Sequence, residues 1–139
     1  MPLVLKMMAI YIVVNAAIMM ALAANVIRMR YRTRTRFGDT GNPEMMRAIR
    51  AHGNNTEYVP IALILMIFAH SLGAGLPLIH AIGLPLTVGR VLHGLGFLLR
   101  GLETPTGHSQ LRLAGMILTF FAILVGILGC LRLVVTAPN

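Results

Sequence analysis

Residues 113–135 read LAGMILTFFAILVGILGCLRLVV, an apolar run that contains a single charged residue, Arg132. About 20 apolar residues cross the hydrocarbon core of a bilayer as a helix, so this run predicts a membrane-spanning helix. Residues 76–99 form a second run that is long enough by the same criterion. Residues 7–24 form a third, interrupted only by Asn15. The fourth run, residues 58–72, is shorter and needs the polar turns before it to cross a bilayer.

The composition of the whole chain also favours a membrane protein. Of the 139 residues, 57% are hydrophobic and 12% are charged, and the mean hydropathy is +0.79. A soluble domain of this length needs more polar surface. Arginines rather than a cleavage site follow the first run, so we expect it to remain as a helix. Because short connections favour antiparallel neighbours, we predict a single all-α domain, residues 1–139. It would be an integral membrane four-helix up-down bundle with helices at about 2–27, 43–72, 76–100 and 109–136.

The positive charges are concentrated in two of the three connections. The net charge is +8, and seven of the twelve basic residues lie between Arg28 and Arg50. Arg100 and Arg112 flank the third connection, whereas the second, residues 71–76, has no basic residue. The positive-inside rule therefore predicts that the first and third connections face the cytoplasm. A basic patch can also indicate nucleic-acid binding, but no DNA-binding motif accompanies this one, so we expect no nucleic-acid partner.

The first connection contains a regular alternation of arginines with other residues, at Arg28, Arg30, Arg32, Arg34 and Arg36. On a continuing helix these side chains would spread around the cylinder, and in an extended segment they would share one side. The sequence does not decide between these two arrangements. The following Asn42, Pro43 and Glu44 are typical of a helix N-cap, a first-turn proline and a first-turn acid, so helix two begins there.

The strongest functional signal is the polar segment RAHGNNTEYVP, residues 50–60, at the head of the fourth apolar run. At about 100° per residue, Arg50, Asn54 and Glu57 fall on one stripe of a helix, with Tyr58 at its edge. Ionisable side chains are expensive at membrane depth and usually have a use there. A guanidinium, an amide and a carboxylate on one stripe can hold a small zwitterionic ligand.

Glu57 and Arg90 are the two charges that most need an explanation. Glu57 lies about 10 Å deeper than Arg50 along helix two, and Arg90 lies about 15 Å deeper than Arg100 along helix three. Their depths are similar, and a lone charge there costs at least ~2.5 kcal/mol. We therefore expect the two to pair. The pair would either lock the two helices together or also contact a bound ligand.

No pattern of residues indicates a metal site or a protein nucleophile. The five histidines are dispersed without metal-ligand spacing, and we expect no metal. Any chemistry would then come from cationic and hydrogen-bonding groups that act on a co-substrate.

The helix-two motif Arg50-Ala51-His52, Asn54, Glu57-Tyr58 and Pro60 resembles the signature of the MAPEG superfamily, membrane-associated proteins of eicosanoid and glutathione metabolism. Three other segments agree with this resemblance: residues 27–30 at the end of helix one, 89–93 in helix three and 110–114 at the start of helix four. The segment 38–42 is similar to the bacterial, microsomal glutathione transferase-like branch, which implies a bacterial inner membrane.

The resemblance implies a homotrimer that holds glutathione as co-substrate between neighbouring subunits, near the cytoplasmic face. The residues implied to hold the tripeptide are Arg50, Asn54, Glu57 and Tyr58. Arg28 or Arg30 would meet one of its carboxylates. Arg90 would support Glu57. The other implied partners are a lipophilic small molecule and membrane lipid.

Arg112 is implied as the residue that faces the sulfur, with Arg100 as a weaker rival. A thiol with a pKa of about 8.5 is mostly protonated at neutral pH. Lowering that pKa by two units needs roughly 2.7 kcal/mol of preferential thiolate stabilisation, which one partly desolvated arginine can supply. Two residues depart from the family pattern: Phe97 stands where several members carry a tyrosine, and Gly53 replaces a larger or charged residue.

These features predict a membrane glutathione transferase-like protein that conjugates or reduces lipophilic electrophiles with the glutathione thiolate. The departures at Phe97 and Gly53 argue against prostaglandin or leukotriene synthesis. Phe97 and the length of the stretch between Arg90 and Arg112 leave open an alternative of a different class, a non-catalytic glutathione- or lipid-binding scaffold with the same fold. The sequence alone therefore does not decide whether the protein is an enzyme.

Overall fold

The computed structural model describes residues 1–99 and 109–136 of the chain. It contains four helices in the described part, and they account for almost all of it. They are α1 (Leu3–Thr33), α2 (Pro43–Ser71), α3 (Leu76–Leu98) and α4 (Gln110–Thr136). The predicted all-α four-helix architecture is confirmed. The suggestion that Arg100 faces the sulfur concerns a residue outside the described part.

Three of these helices, α1, α3 and α4, are long and apolar enough to cross a membrane. The first half of α2 is polar, which is why α2 does not meet the same criterion on composition. Nevertheless α2 has 29 residues, which corresponds to about 43 Å, and it packs against each of the other three helices. Large apolar side chains on the outer surface are exposed, including Ile64 and Leu128. Such an outer surface matches the hydrocarbon of a bilayer.

The first connection resolves the question left open by the arginine alternation. Helix α1 continues to Thr33, beyond residue 27 where we expected it to end, so Arg28, Arg30 and Arg32 are helical. Arg34 then adopts the left-handed conformation, with φ of 54°, and ends the helix. As predicted, Asn42 caps α2, because its side-chain oxygen accepts hydrogen bonds from the backbone N–H groups of Glu44 and Met45.

The two halves of the bundle differ in polarity. The half next to the α2–α3 turn contains an apolar cluster that includes Met66, Ile79 and Ile82. The half next to the first connection has a smaller apolar cluster around Met29 and Met45 and also buries polar side chains, among them Asn55 and Arg90. The site therefore lies at the end of the bundle where α1 stops and α2 begins.

Two glycines set the distance between α3 and α4. A Cβ atom on Gly115 would lie 2.6 Å from the carbonyl oxygen of Gly89 and 2.6 Å from the backbone nitrogen of His93. A Cβ atom on Gly89 would lie 2.8 Å from the carbonyl oxygen of Gly115. Since real Cβ atoms do not approach backbone this closely, both positions require glycine. The backbones of α3 and α4 are consequently in direct contact at this level, as small residues allow in membrane bundles.

We predict that Gly115→Ala destabilises the protein by about 1–3 kcal/mol, because the added methyl group forces the two helices apart. The matched control is Gly94→Ala on α3, where a Cβ atom would meet Leu22 at an ordinary distance of 3.7 Å. Thermal unfolding in detergent measures both. Equal melting temperatures for the two variants would contradict the close contact.

Candidate functional site

A cleft of about 1000 Å³ opens between α2, α3 and the start of α4. Four of the residues singled out in the sequence line it together: Arg50, Asn54, Glu57 and Arg112. Its other polar lining includes Arg47, His93 and Gln110, and its apolar lining includes Met46, Ile49, Phe97, Leu113 and Met116. The cleft therefore combines several guanidinium groups with one carboxylate and an apolar wall.

Helix α2 supplies the three members of the predicted stripe. Arg50, Asn54 and Glu57 follow one another at intervals of four and three residues, which places them on the same face. Arg50 and Glu57 are exposed on the surface of the chain, and Asn54 is partly buried. Tyr58, at the edge of this stripe, does not line the cleft. Its ring packs edge-on against Phe120, with 5.4 Å between the ring centroids.

Arg90 is buried beneath the cleft, with 1% of its surface exposed. Its Nη1 donates a hydrogen bond of 2.8 Å to the side-chain oxygen of Asn54. Its Nη2 donates to the hydroxyl of Thr119 on α4. The guanidinium carbon lies 6.0 Å from the centre of the Tyr58 ring. A single side chain of α3 therefore connects α2 to α4.

The expected ion pair between Arg90 and Glu57 is wrong for this chain. In the part of the chain that the structure describes, no ion pair joins Glu57 to Arg90. Arg90 does reach α2, as its expected depth along α3 predicted. It contacts Asn54, one turn before Glu57, since Asn54 is the partly buried member of the stripe and Glu57 is exposed.

Arg112 lies in the first turn of α4 and stacks on Phe97 of α3, with 4.6 Å between the guanidinium carbon and the ring centre. This distance is within the range of a cation–π interaction. Gly96 allows the approach, because a Cβ atom there would lie 2.7 Å from Cγ of Arg112. The residue that departs from the family pattern is thus the aromatic surface on which the predicted catalytic arginine rests.

The remaining two predicted residues, Arg28 and Arg30, lie outside this cleft within one chain. Arg28 donates to the side-chain oxygen of Asn25 at 2.8 Å and lines a separate cleft of about 250 Å³. Arg30 donates to three backbone carbonyl groups of the first connection. The acceptors are the carbonyl oxygens of Thr35 at 3.4 Å, Arg36 at 3.0 Å and Gly38 at 3.4 Å. Arg30 therefore holds the connection in place.

Sequence reasoning missed Thr119, and it did not assign His93 to the cleft. Thr119 is fully buried, and its hydroxyl also donates to the carbonyl oxygen of Gly115 at 2.8 Å. Its one detectable signal is that it is a polar residue in an otherwise apolar run. His93 is buried, with its ring 5.2 Å from that of Phe97. In residues 1–99 and 109–136, no group of three or more histidine, cysteine or acidic side chains is placed to bind a metal ion.

Comparison with known proteins identifies similar sequences. The sequence model of the MAPEG family matches residues 8–132. The chain is 37% identical over 123 residues to the inner membrane protein YecN of Escherichia coli strain K12, and the match covers 86% of both chains. YecN of Escherichia coli O6:H1 matches with the same identity and coverage. No solved structure matches.

We predict that Arg30→Gln loosens the first connection, because three carbonyl groups lose their shared donor. Chymotrypsin would then cut more rapidly after Phe37, which is 86% exposed. The control is Arg28→Gln, which removes a hydrogen bond to Asn25 alone and leaves the connection unchanged. Gel analysis of timed digests in detergent measures the rate. Equal cleavage rates in both variants would show that Arg30 does not hold the connection.

Proposed function

The chain belongs to the MAPEG family of membrane proteins in glutathione and eicosanoid metabolism, and from this premise we propose that it is a membrane glutathione transferase. Its three long apolar helices and its inner membrane relative make it an integral membrane protein. In the proposed reaction, glutathione binds in the cleft between α2, α3 and α4 and reacts with a lipophilic electrophile that arrives from the bilayer.

One observation carries this proposal: Arg50, Asn54, Glu57 and Arg112 line the same cleft of about 1000 Å³. Glutathione has two carboxylates, one ammonium, two peptide groups and a thiol. Arg50 matches a carboxylate, Glu57 matches the ammonium, and Asn54 matches a peptide group. The volume is at the upper end of the usual range for ligand clefts, about 300–1,000 Å³, which leaves room for a second, lipophilic reactant.

The proposed chemistry depends on Arg112 and its aromatic support. The thiol of glutathione loses its proton to solvent, and the guanidinium of Arg112 stabilises the thiolate that remains. The thiolate sulfur then forms a bond to the electrophilic carbon while the leaving group departs with its electron pair. Because the Phe97 ring covers one face of the Arg112 guanidinium, that face is shielded from water, which strengthens the interaction of the charge with the thiolate.

A homotrimer would complete this site. Arg28 belongs to α1 and does not line the main cleft within one chain. A neighbouring subunit that packs its α1 against the cleft would supply such a cation to the second carboxylate of glutathione. The proposed assembly therefore accounts for a basic residue that a single chain leaves away from the ligand.

A second candidate function, a glutathione-binding scaffold without catalysis, is favoured by the same stacking contact. The ring on which Arg112 rests belongs to Phe97, and a phenylalanine offers no hydroxyl to the sulfur. In this alternative glutathione binds to the α2 stripe but its thiol stays protonated. The absorbance of bound thiolate near neutral pH distinguishes the two functions.

We predict that Arg112→Ala lowers the turnover of glutathione conjugation by about 100-fold, the equivalent of two pKa units of lost thiolate stabilisation. The assay uses purified protein in nanodiscs with glutathione and a chlorodinitrobenzene electrophile. Arg132→Ala is the matched control, since Arg132 lies on the same helix, is exposed and does not line the cleft. Wild-type glutathione binding without any turnover supports the scaffold function, and equal turnover in both variants removes Arg112 from the mechanism.

We also propose that the chain lies in a bacterial inner membrane with its first and third connections in the cytoplasm. The basic residues at the end of α1 and near the start of α2 support this orientation. A cysteine introduced at Phe37, which is 86% exposed, would then be labelled by a membrane-impermeant maleimide only after the inner membrane is opened. The buried Cys130 serves as the internal control for background labelling. Labelling of position 37 in intact spheroplasts would reverse the orientation.

A further inference from the structure

Arg90 has an unusual set of partners for a buried cation. Its Nη1 donates to Asn54 and its Nη2 to Thr119. The other contacts of Nη2 are long, 3.5 Å to the carbonyl oxygen of Gly115 and 3.5 Å to the sulfur of Met116. Its Nε has no partner. None of these groups carries a negative charge. A buried guanidinium without an anion is costly. Glu57 lies within one turn of Asn54 on the same helix, yet it does not pair with Arg90. The partners of Arg90 therefore satisfy its hydrogen bonds without neutralising its charge.

The direction of the hydrogen bonds orients the side chain of Asn54. A guanidinium has only donors, so the atom of Asn54 that it contacts must be the carbonyl oxygen and not the nitrogen. The 2.8 Å contact is consistent with a charge-assisted bond. With its oxygen held by Arg90, the amide of Asn54 has its NH2 group left for the cleft that Asn54 lines.

Thr119 determines where the guanidinium lies. Its hydroxyl donates to the carbonyl oxygen of Gly115 at 2.8 Å, so a lone pair of the hydroxyl oxygen remains to accept from Arg90. The close contact of α3 and α4 at Gly89 brings Thr119 within reach of Arg90. A planar guanidinium held at Nη2 has little freedom at Nη1, and Nη1 is the group that holds Asn54.

We propose that Arg90 and Thr119 are positioning residues that fix the Asn54 amide with its NH2 group toward the cleft. Asn54 then recognises a hydrogen-bond acceptor of the ligand, a peptide carbonyl or a carboxylate oxygen, and excludes a donor such as an ammonium at that place. The buried charge of Arg90 polarises the amide and makes its NH2 a stronger donor. This inference deepens the proposed function and rests on it for the identity of the ligand.

The first test separates stability from binding with Asn54→Asp, a change of nearly the same shape. The new carboxylate neutralises Arg90, so the melting temperature in detergent rises above that of wild type. The same change removes the NH2 donor, so the dissociation constant for glutathione in calorimetry rises by at least about tenfold. Asn54→Ala is the control and lowers both stability and affinity. An Asp variant that is less stable than wild type overturns the contact between Arg90 and Asn54.

The second test compares Thr119→Val with Thr119→Ser. Valine keeps the shape of threonine and loses the hydroxyl, whereas serine keeps the hydroxyl and loses a methyl group. If Thr119 positions Arg90, KM for glutathione rises about tenfold in the valine variant, and kcat changes less. In the serine variant KM returns toward the wild-type value. A role in packing alone predicts the opposite order, with valine close to wild type and serine impaired, and that order overturns the inference.

The outcomes also distinguish this inference from the proposed function. Wild-type protein that binds no glutathione at millimolar concentration contradicts the proposed function and the ligand assigned here to Asn54. The melting comparison then still decides whether Arg90 holds the Asn54 oxygen. If the Thr119→Val variant binds glutathione as tightly as the wild-type protein does, the positioning role of Thr119 is contradicted. The proposed function is not affected by that result.

Discussion

The contact between α3 and α4 at Gly89 and Gly115 is the constraint on which the site depends. Because neither residue has a side chain, the helix backbones meet and Thr119 comes within hydrogen-bond distance of Arg90. Arg90 can then be buried with its two terminal nitrogens, Nη1 and Nη2, directed at uncharged oxygens instead of water. In a medium without water, an unsatisfied donor costs several kcal/mol. The geometry of two glycines thereby determines where a cation, and the amide that it holds, can be placed.

One half of the bundle interior stabilises the fold, and the other half contains the cleft proposed to bind the ligand. Apolar side chains next to the α2–α3 turn form a continuous core, so the other end of the bundle can accommodate polar groups at a tolerable cost. Helix α2 contributes to both halves: Met66 lies in the apolar core, and Arg50 and Asn54 line the cleft. This division explains why α2 alone among the four helices is too polar in its first half to meet the composition expected of a membrane-spanning helix.

The arginines at the polar end of the bundle have different roles although they are residues of one type. Arg30 holds backbone carbonyl groups of the connection, Arg112 rests on an aromatic ring, and Arg50 is exposed at the mouth of the cleft. The resemblance to the MAPEG superfamily suggested that Arg28 and Arg30 were equivalent candidates. They are not equivalent within the chain, because their side chains leave α1 in different directions, and only Arg30 reaches the carbonyl groups of the connection.

Much of the local structure of this protein follows from the sequence alone. The apolar runs determined the helices, Asn42 and Pro43 determined where α2 begins, and helical periodicity brought Arg50, Asn54 and Glu57 to one face. Three features were decided only by the tertiary structure: the partner of Arg90, the stacking of Arg112 on Phe97, and the participation of Thr119. Each depends on the rotation and separation of two helices that are distant in sequence. Periodicity within a helix says which residues share a face, but the packing of small residues between helices decides what that face touches.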